Sequence, residues 1–170
     1  MEIIGLFGKA NCGKTNTLNR VIDELLTLGA KVISSNPPNT SRDLAIQDRN
    51  VCMEFRGKKV CVATGGDEGA ALKDNCEFFA NNKADIVISA TRTKGGTCKE
   101  LVDFATSVNG KNNVFWVEKL RPYHPNFHLD GENINDGNKA KVYDDMNYEI
   151  HSSLNEMDKM MILRRLFILI

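Results

Sequence analysis

EIIGLFGKANCGKTNTLNRVIDELL, residues 2–26, changes its period once, and that change decides the fold. Glu2 to Phe7 is a short apolar run rich in strand formers. Leu18, Val21, Ile22, Leu25 and Leu26 then recur at helical spacing on one face, and Gly29 stands where such a helix ends. Between the two periods lies a segment bounded by glycines, GKANCGKT, Gly8 to Thr15. The chain opens as strand, loop, helix.

Outward from this unit the same alternation continues with one interruption. Lys31 to Ser35 reads as a second strand, followed by the loop NPPNTSRD with its paired prolines. Val51 to Thr64 holds two strand-like runs separated by Arg56, Gly57 and Lys58, which predicts a hairpin with glycine in the turn. A helix follows from about Ala70 to Phe79, and Ala84 to Ala90 is a near-continuous apolar run of the kind that fills the middle of a parallel sheet. Thr97 and Glu100 are spaced as a capping box ahead of a helix carrying Leu101, Phe104, Ala105 and Val108. Asn113 to Val117 is the last strand, and residues 121–139, dense in Asn, Asp, Gly and Pro, read as a long loop or lid. Residues 147–170 form a closing helix with Ile150, Leu154, Met157 and Met161 on one face and an apolar end that packs on the sheet or serves a dimer contact or a membrane surface.

Gly8, Gly13, Lys14 and Thr15 satisfy G-x-x-x-x-G-K-[ST], and they do so between a strand and a helix. Glycines let successive backbone N–H groups point into one concavity, and the helix start adds its partial positive charge to that anion site. The Lys14 ammonium is suited to bridging terminal phosphates, and the Thr15 hydroxyl to ligating Mg²⁺, which prefers oxygen. On these residues the chain resembles the P-loop NTPase superfamily, closely over roughly Glu2 to Leu26 and as an order of elements to about Glu118. The resemblance implies one α/β domain over residues 1–170, a three-layer P-loop NTPase fold. Its sheet would be mainly parallel, five- or six-stranded, with a β-hairpin and helices on both faces. It also implies a nucleoside triphosphate with Mg²⁺ at the carboxyl ends of the strands, with Gly8, Lys9, Ala10, Asn11, Cys12, Gly13, Lys14, Thr15 and Asn16 around the phosphates.

Such a site needs an acidic residue that holds the magnesium, at the end of a strand beside the phosphate loop. Val60 to Thr64 running into GGDEG makes Asp67 the first choice, with Glu68 beside it and Glu118 as a rival. The order loop, helix, threonine-bearing loop, hairpin is similar to the small GTPases, in which Thr40 would be the switch threonine. However, Ala63 stands where the aspartate of D-x-x-G is expected, and TKGG, Thr93 to Gly96, has glycine where a guanine reader needs a carboxylate. ATP is therefore expected ahead of GTP. Lys9 is similar to the signature lysine of the deviant Walker A ATPases, although Ala10 and Asn11 replace that family's glycines. Arg92 and Lys94, in ATRTKGGT, are placed to neutralise a transferred phosphoryl group. Arg42 and Asp43 lie in the loop where an acceptor or a switch would act. Cys12, near a helix start and a lysine, is either a stabilised thiolate or a small loop-filling residue. His124 and His128 are spaced for a metal only on a helix, which Pro125 opposes.

Twenty-two basic residues balance 22 acidic ones, which argues against an extended nucleic-acid footprint. Five scattered cysteines without a C-x-x-C pair predict reduced thiols in a cytoplasm, and no apolar run approaches the roughly 20 residues of a membrane span. The leading expectation is a slow Mg²⁺-dependent ATPase in which nucleotide state moves the loop around Thr40 or controls self-association, with Lys14, Asp67 and Arg92 catalytic and Thr15 and Asp67 on the metal. The alternatives are a small nucleotide or metabolite kinase and a nucleotide-dependent module that docks a homodimer or protein partner.

Overall fold

The computed structural model describes residues 1–9, 12–37, 48–66, 68–119 and 137–170, the side chains of 137–151 excepted. Among these the order is β1 (Glu2–Gly8), α1 (Lys14–Thr27), β2 (Lys31–Asn36), β3 (Asn50–Phe55), β4 (Lys58–Ala63), α2 (Gly69–Asn81), β5 (Ile86–Arg92), α3 (Thr97–Asn109), β6 (Val114–Glu118) and α4 (Gly137–Leu169). The fold is α/β with a six-stranded sheet ordered β2-β3-β4-β5-β1-β6.

The sheet is mixed. β1 pairs in parallel with β5 and β6, and β4 pairs in parallel with β5, while β2–β3 and β3–β4 are antiparallel. The antiparallel part comes from the hairpin read in the sequence: Arg56 and Gly57 both take positive φ, 50° and 75°, which matches a two-residue turn to the twist of its strands. β5 lies between two parallel neighbours and is buried along nearly its whole length, which explains its unbroken apolar sequence.

Alternation along the strands sorts the core into two clusters. Ile4 and Leu6 of β1 join Leu18, Val21, Ile22 and Leu25 of α1 and Ile162, Leu163 and Leu166 of α4 on one face. Ile3 joins Leu72 and Phe79 of α2 and Leu101 and Ala105 of α3 on the other. The apolar end of the chain thus packs against the sheet, while Met157, Met160, Met161 and Ile168 remain exposed.

Two expectations are corrected. The closing helix begins at Gly137 rather than near Asn147, so the long loop stops short of Lys139; residues 137–146 carry no apolar stripe by which sequence would reveal a helix. Thr97 does not form a capping box: Gly96 is the N-cap of α3, and the Thr97 hydroxyl accepts from the Arg92 N–H (2.8 Å) to tie the preceding turn. Among the described residues no helix is long and apolar enough to cross a membrane.

Candidate functional site

The segment between β1 and α1 leaves the sheet at the carboxyl end of the parallel strands. Gly13, at φ 95° and ψ 17°, turns the chain directly into α1. No side chain caps that helix and its first turn carries no acidic residue, an arrangement in which the partial positive charge of a helix start favours an anion. Lys14 is buried, and its Nζ donates to the Lys9 carbonyl (3.0 Å) and lies 3.5 Å from the Gly8 carbonyl. The ammonium therefore lies back across the loop. Lys9 and Asn16 are exposed, and Ala10 and Asn11 lie outside the described residues.

Thr15, the first-turn hydroxyl, donates to Asp48 Oδ1 at 2.8 Å and lies 3.4 Å from the Thr64 carbonyl. Asp48 sits just before β3, and its carboxylate rests on Gly65, where a Cβ would come within 2.9 Å of it. Gly66 approaches even closer to β5: a Cβ there would overlap the Ala90 carbonyl oxygen. The two glycines after β4 are thus explained by close approach. They let the end of β4 and the start of β3 converge on the first turn of α1, although β4 is not adjacent to β1. Asp48 was not among the sequence candidates. Thirty-three positions separate it from Thr15, and the only signal in the sequence is the Gly65–Gly66 pair. Asp67, the expected carboxylate, lies outside the described residues, as do Thr40, Arg42, Asp43, His124 and His128. Glu118 ends β6 opposite Phe7 and is exposed.

Arg92 is brought to the site. It pairs in register with Gly8, and the N–H of Thr93 donates to the Gly8 carbonyl at 3.3 Å. The Arg92–Thr97 turn therefore emerges beside the loop, with Lys94 exposed on it.

Behind the loop the chain is dry and tightly fitted. A Cβ at Gly8 would meet the Lys119 carbonyl and the Cys12 sulfur at 2.7 and 2.8 Å, and one at Gly13 would meet Asn155 Oδ1 at 3.0 Å. Cys12 is buried, and desolvation raises its pKa against the opposing pull of Lys14 and Lys119. It therefore fills space as a neutral thiol rather than acting as a stabilised thiolate. Lys119 Nζ is fully buried and bonds Asp158 at 2.6 Å. Thr17 donates to Asn155 at 3.1 Å, and Arg20 bonds both Glu156 and Ser152. Thus α4 holds the back of the loop through groups that sequence distance conceals.

Among the described residues no three of His, Cys, Asp and Glu gather as a metal cage. The oxygens around Thr15 instead comprise one hydroxyl, one carboxylate and one carbonyl. Compared with known protein families, curated proteins and solved structures, the chain matches no family model, no curated protein and no solved structure.

Proposed function

We propose that the chain is a Mg²⁺-dependent nucleoside triphosphatase of the P-loop superfamily, with the three-layer fold of that superfamily, acting as a nucleotide-controlled switch in the cytoplasm. The observation that carries this reading is the Thr15–Asp48 hydrogen bond, which joins the threonine of the phosphate-loop motif to a carboxylate. Mg²⁺ characteristically takes one or two carboxylates together with substrate phosphates, keeping waters for its other positions. An all-oxygen set of hydroxyl, carboxylate and carbonyl fits that preference. Bound there, the ion would offset phosphate charge. In this reading the N–H groups at the start of α1 hold phosphate oxygens, Lys14 leaves the Lys9 carbonyl to engage them, and Arg92 approaches from the neighbouring turn. Asp48 takes the metal role expected of Asp67. ATP is the proposed nucleotide because the TKGG turn lacks a carboxylate for guanine.

A second reading, phosphoryl transfer to a small acceptor, is favoured by a cavity of about 230 Å³ that Asp48 also lines. In that case the acceptor oxygen would bond the terminal phosphorus as the bond to the leaving diphosphate breaks. Turnover without acceptor, compared with turnover in the presence of a panel of small alcohols and amines, separates the two.

Calorimetry with ATP and Mg²⁺ tests the common core. Lys14→Ala removes charge-assisted bonds worth about 1.5–3 kcal/mol, and affinity should fall roughly 10- to 100-fold. Unchanged affinity in a folded Lys14→Ala protein would exclude both readings.

A further inference from the structure

Arg49 stands one residue before β3 and Thr64 one residue after β4, so the two face each other where the β3–β4 ladder ends. An antiparallel pair joined by hydrogen bonds ordinarily exchanges two of them, each from N–H to carbonyl. Here only one is of that kind. The Thr64 N–H donates to the Arg49 carbonyl at 2.9 Å, whereas the Arg49 N–H donates to the Thr64 hydroxyl at 2.8 Å. The hydroxyl stands in for the Thr64 carbonyl, and that carbonyl is left to face Thr15 Oγ1 at 3.4 Å.

The Arg49 side chain makes a second tie. Arg49 is 7% exposed, and its guanidinium crosses to α1, with Nε donating to Asn19 Oδ1 at 2.6 Å and Nη2 to Asp23 Oδ1 at 3.3 Å. Asn19 is also buried and follows Thr15 by one helical turn. The guanidinium thus holds the segment that carries Asp48 to the helix whose first turn carries Thr15. Asp48 itself is exposed, and an exposed side chain gains no fixed position from packing. Its neighbour supplies that position, clamped to the end of β4 through the backbone and to α1 through the side chain.

We propose that Arg49 is a positioning residue for the metal site: it holds Asp48 at hydrogen-bonding distance from Thr15, and the Thr64 hydroxyl is its counterpart at the end of β4. Groups that orient metal ligands are often as necessary to a site as the ligands themselves. The metal part of this inference rests on the reading of Thr15 and Asp48 as Mg²⁺ ligands.

Calorimetry of ATP binding with and without Mg²⁺, on the full chain, separates positioning from a general effect on the fold. In Arg49→Met the gain in ATP affinity on adding Mg²⁺ should fall about three- to tenfold, since a group acting through Asp48 costs no more than Asp48 itself. Affinity without Mg²⁺ should stay within about twofold of the parent. Introduced into Asp48→Asn, the same substitution should change the Mg²⁺ gain by less than about twofold, because the carboxylate through which it acts is gone. Thr64→Val keeps the shape of the residue but leaves the Arg49 N–H only the Thr64 carbonyl to turn to, so the Mg²⁺ gain should fall here too. Thr64→Ser, which retains the hydroxyl, should restore it. The proposal is overturned if folded Arg49→Met or Thr64→Val keeps the full Mg²⁺ gain, or if Arg49→Met costs as much in the Asp48→Asn background as in the parent. A parent chain that binds ATP no better with Mg²⁺ than without it would overturn the metal reading itself, and the inference with it.

Discussion

The front and the back of the phosphate loop use the same residue types in opposite ways. At the back, Lys119 and Asp158, Arg20 and Glu156, and Thr17 and Asn155 satisfy one another in a seam that ties α4 to the loop. At the front, Asp48 is exposed and accepts from the Thr15 hydroxyl, Asp74 is exposed, and the first turn of α1 has no side-chain cap. Polar groups that complete each other hold shape, whereas polar groups left incomplete on a rigid backing are positioned to meet a ligand. Changes at the back should therefore cost stability, and changes at the front should cost binding.

Lys119→Met is the strongest way to break this contrast. Lys119 is fully buried and Asp158 is 14% exposed, so removing the lysine leaves a carboxylate stranded in a dry site. Loss of one partner of a buried pair costs about 3–5 kcal/mol, while replacing both partners with apolar residues restores most of it. Chemical unfolding of Lys119→Met and of Lys119→Met with Asp158→Leu measures both values. A single variant as stable as the parent would mean that the seam does not hold α4 in place.

Asp48→Asn sharpens the contrast from the other side. The residue is exposed, so stability should stay within about 0.5 kcal/mol of the parent. The gain in ATP affinity on adding Mg²⁺ should fall about tenfold, roughly 1.4 kcal/mol. Calorimetry with and without Mg²⁺ reads this directly. An unaltered Mg²⁺ effect would take the metal role from Asp48 and return it to a carboxylate elsewhere, Asp67 first.

The legible and the hidden parts of the sequence divide along the same line. β1, the loop and α1 were readable because a strand, a motif and a helix follow one another within about the first 27 residues, and their periods are strong. The hairpin and β5 were readable for the same local reason. The neighbours of β1 were not: that β5 and β6 flank it, and that β4 is one strand removed, depends on pairings between distant segments. Asp48 and Asn155 were hidden likewise, since a hydroxyl's partner 33 or 138 positions away leaves no periodic trace. What the sequence did hold was indirect. Gly8, Gly65 and Gly66 stand where another chain segment comes too close for a Cβ.

The smallest expected effect tests whether the outer rim of the seam contributes at all. Lys159 and Arg20 hydrogen-bond Glu156, and the Lys159 bond is the main reason its pKa lies below the ordinary 4.5. A carboxylate held below its unfolded value adds stability above pH 4.5 and loses it as pH falls through the folded value. Lys159 shifts upward, chiefly through the same bond, so in strong alkali the bond is weakened from the other side as the lysine loses its proton. Glu156 is 46% exposed, and water screens the pair to about 0.5 kcal/mol. Glu156→Gln should therefore be slightly less stable than the parent at neutral pH, and the difference should shrink as the pH falls below 4.5 and through the lower folded-state value of Glu156. If the difference stays constant across that range, the charge on Glu156 is irrelevant and only its shape fits α4 to α1. If it vanishes with acid, the electrostatic backing of the loop reaches the surface of the molecule.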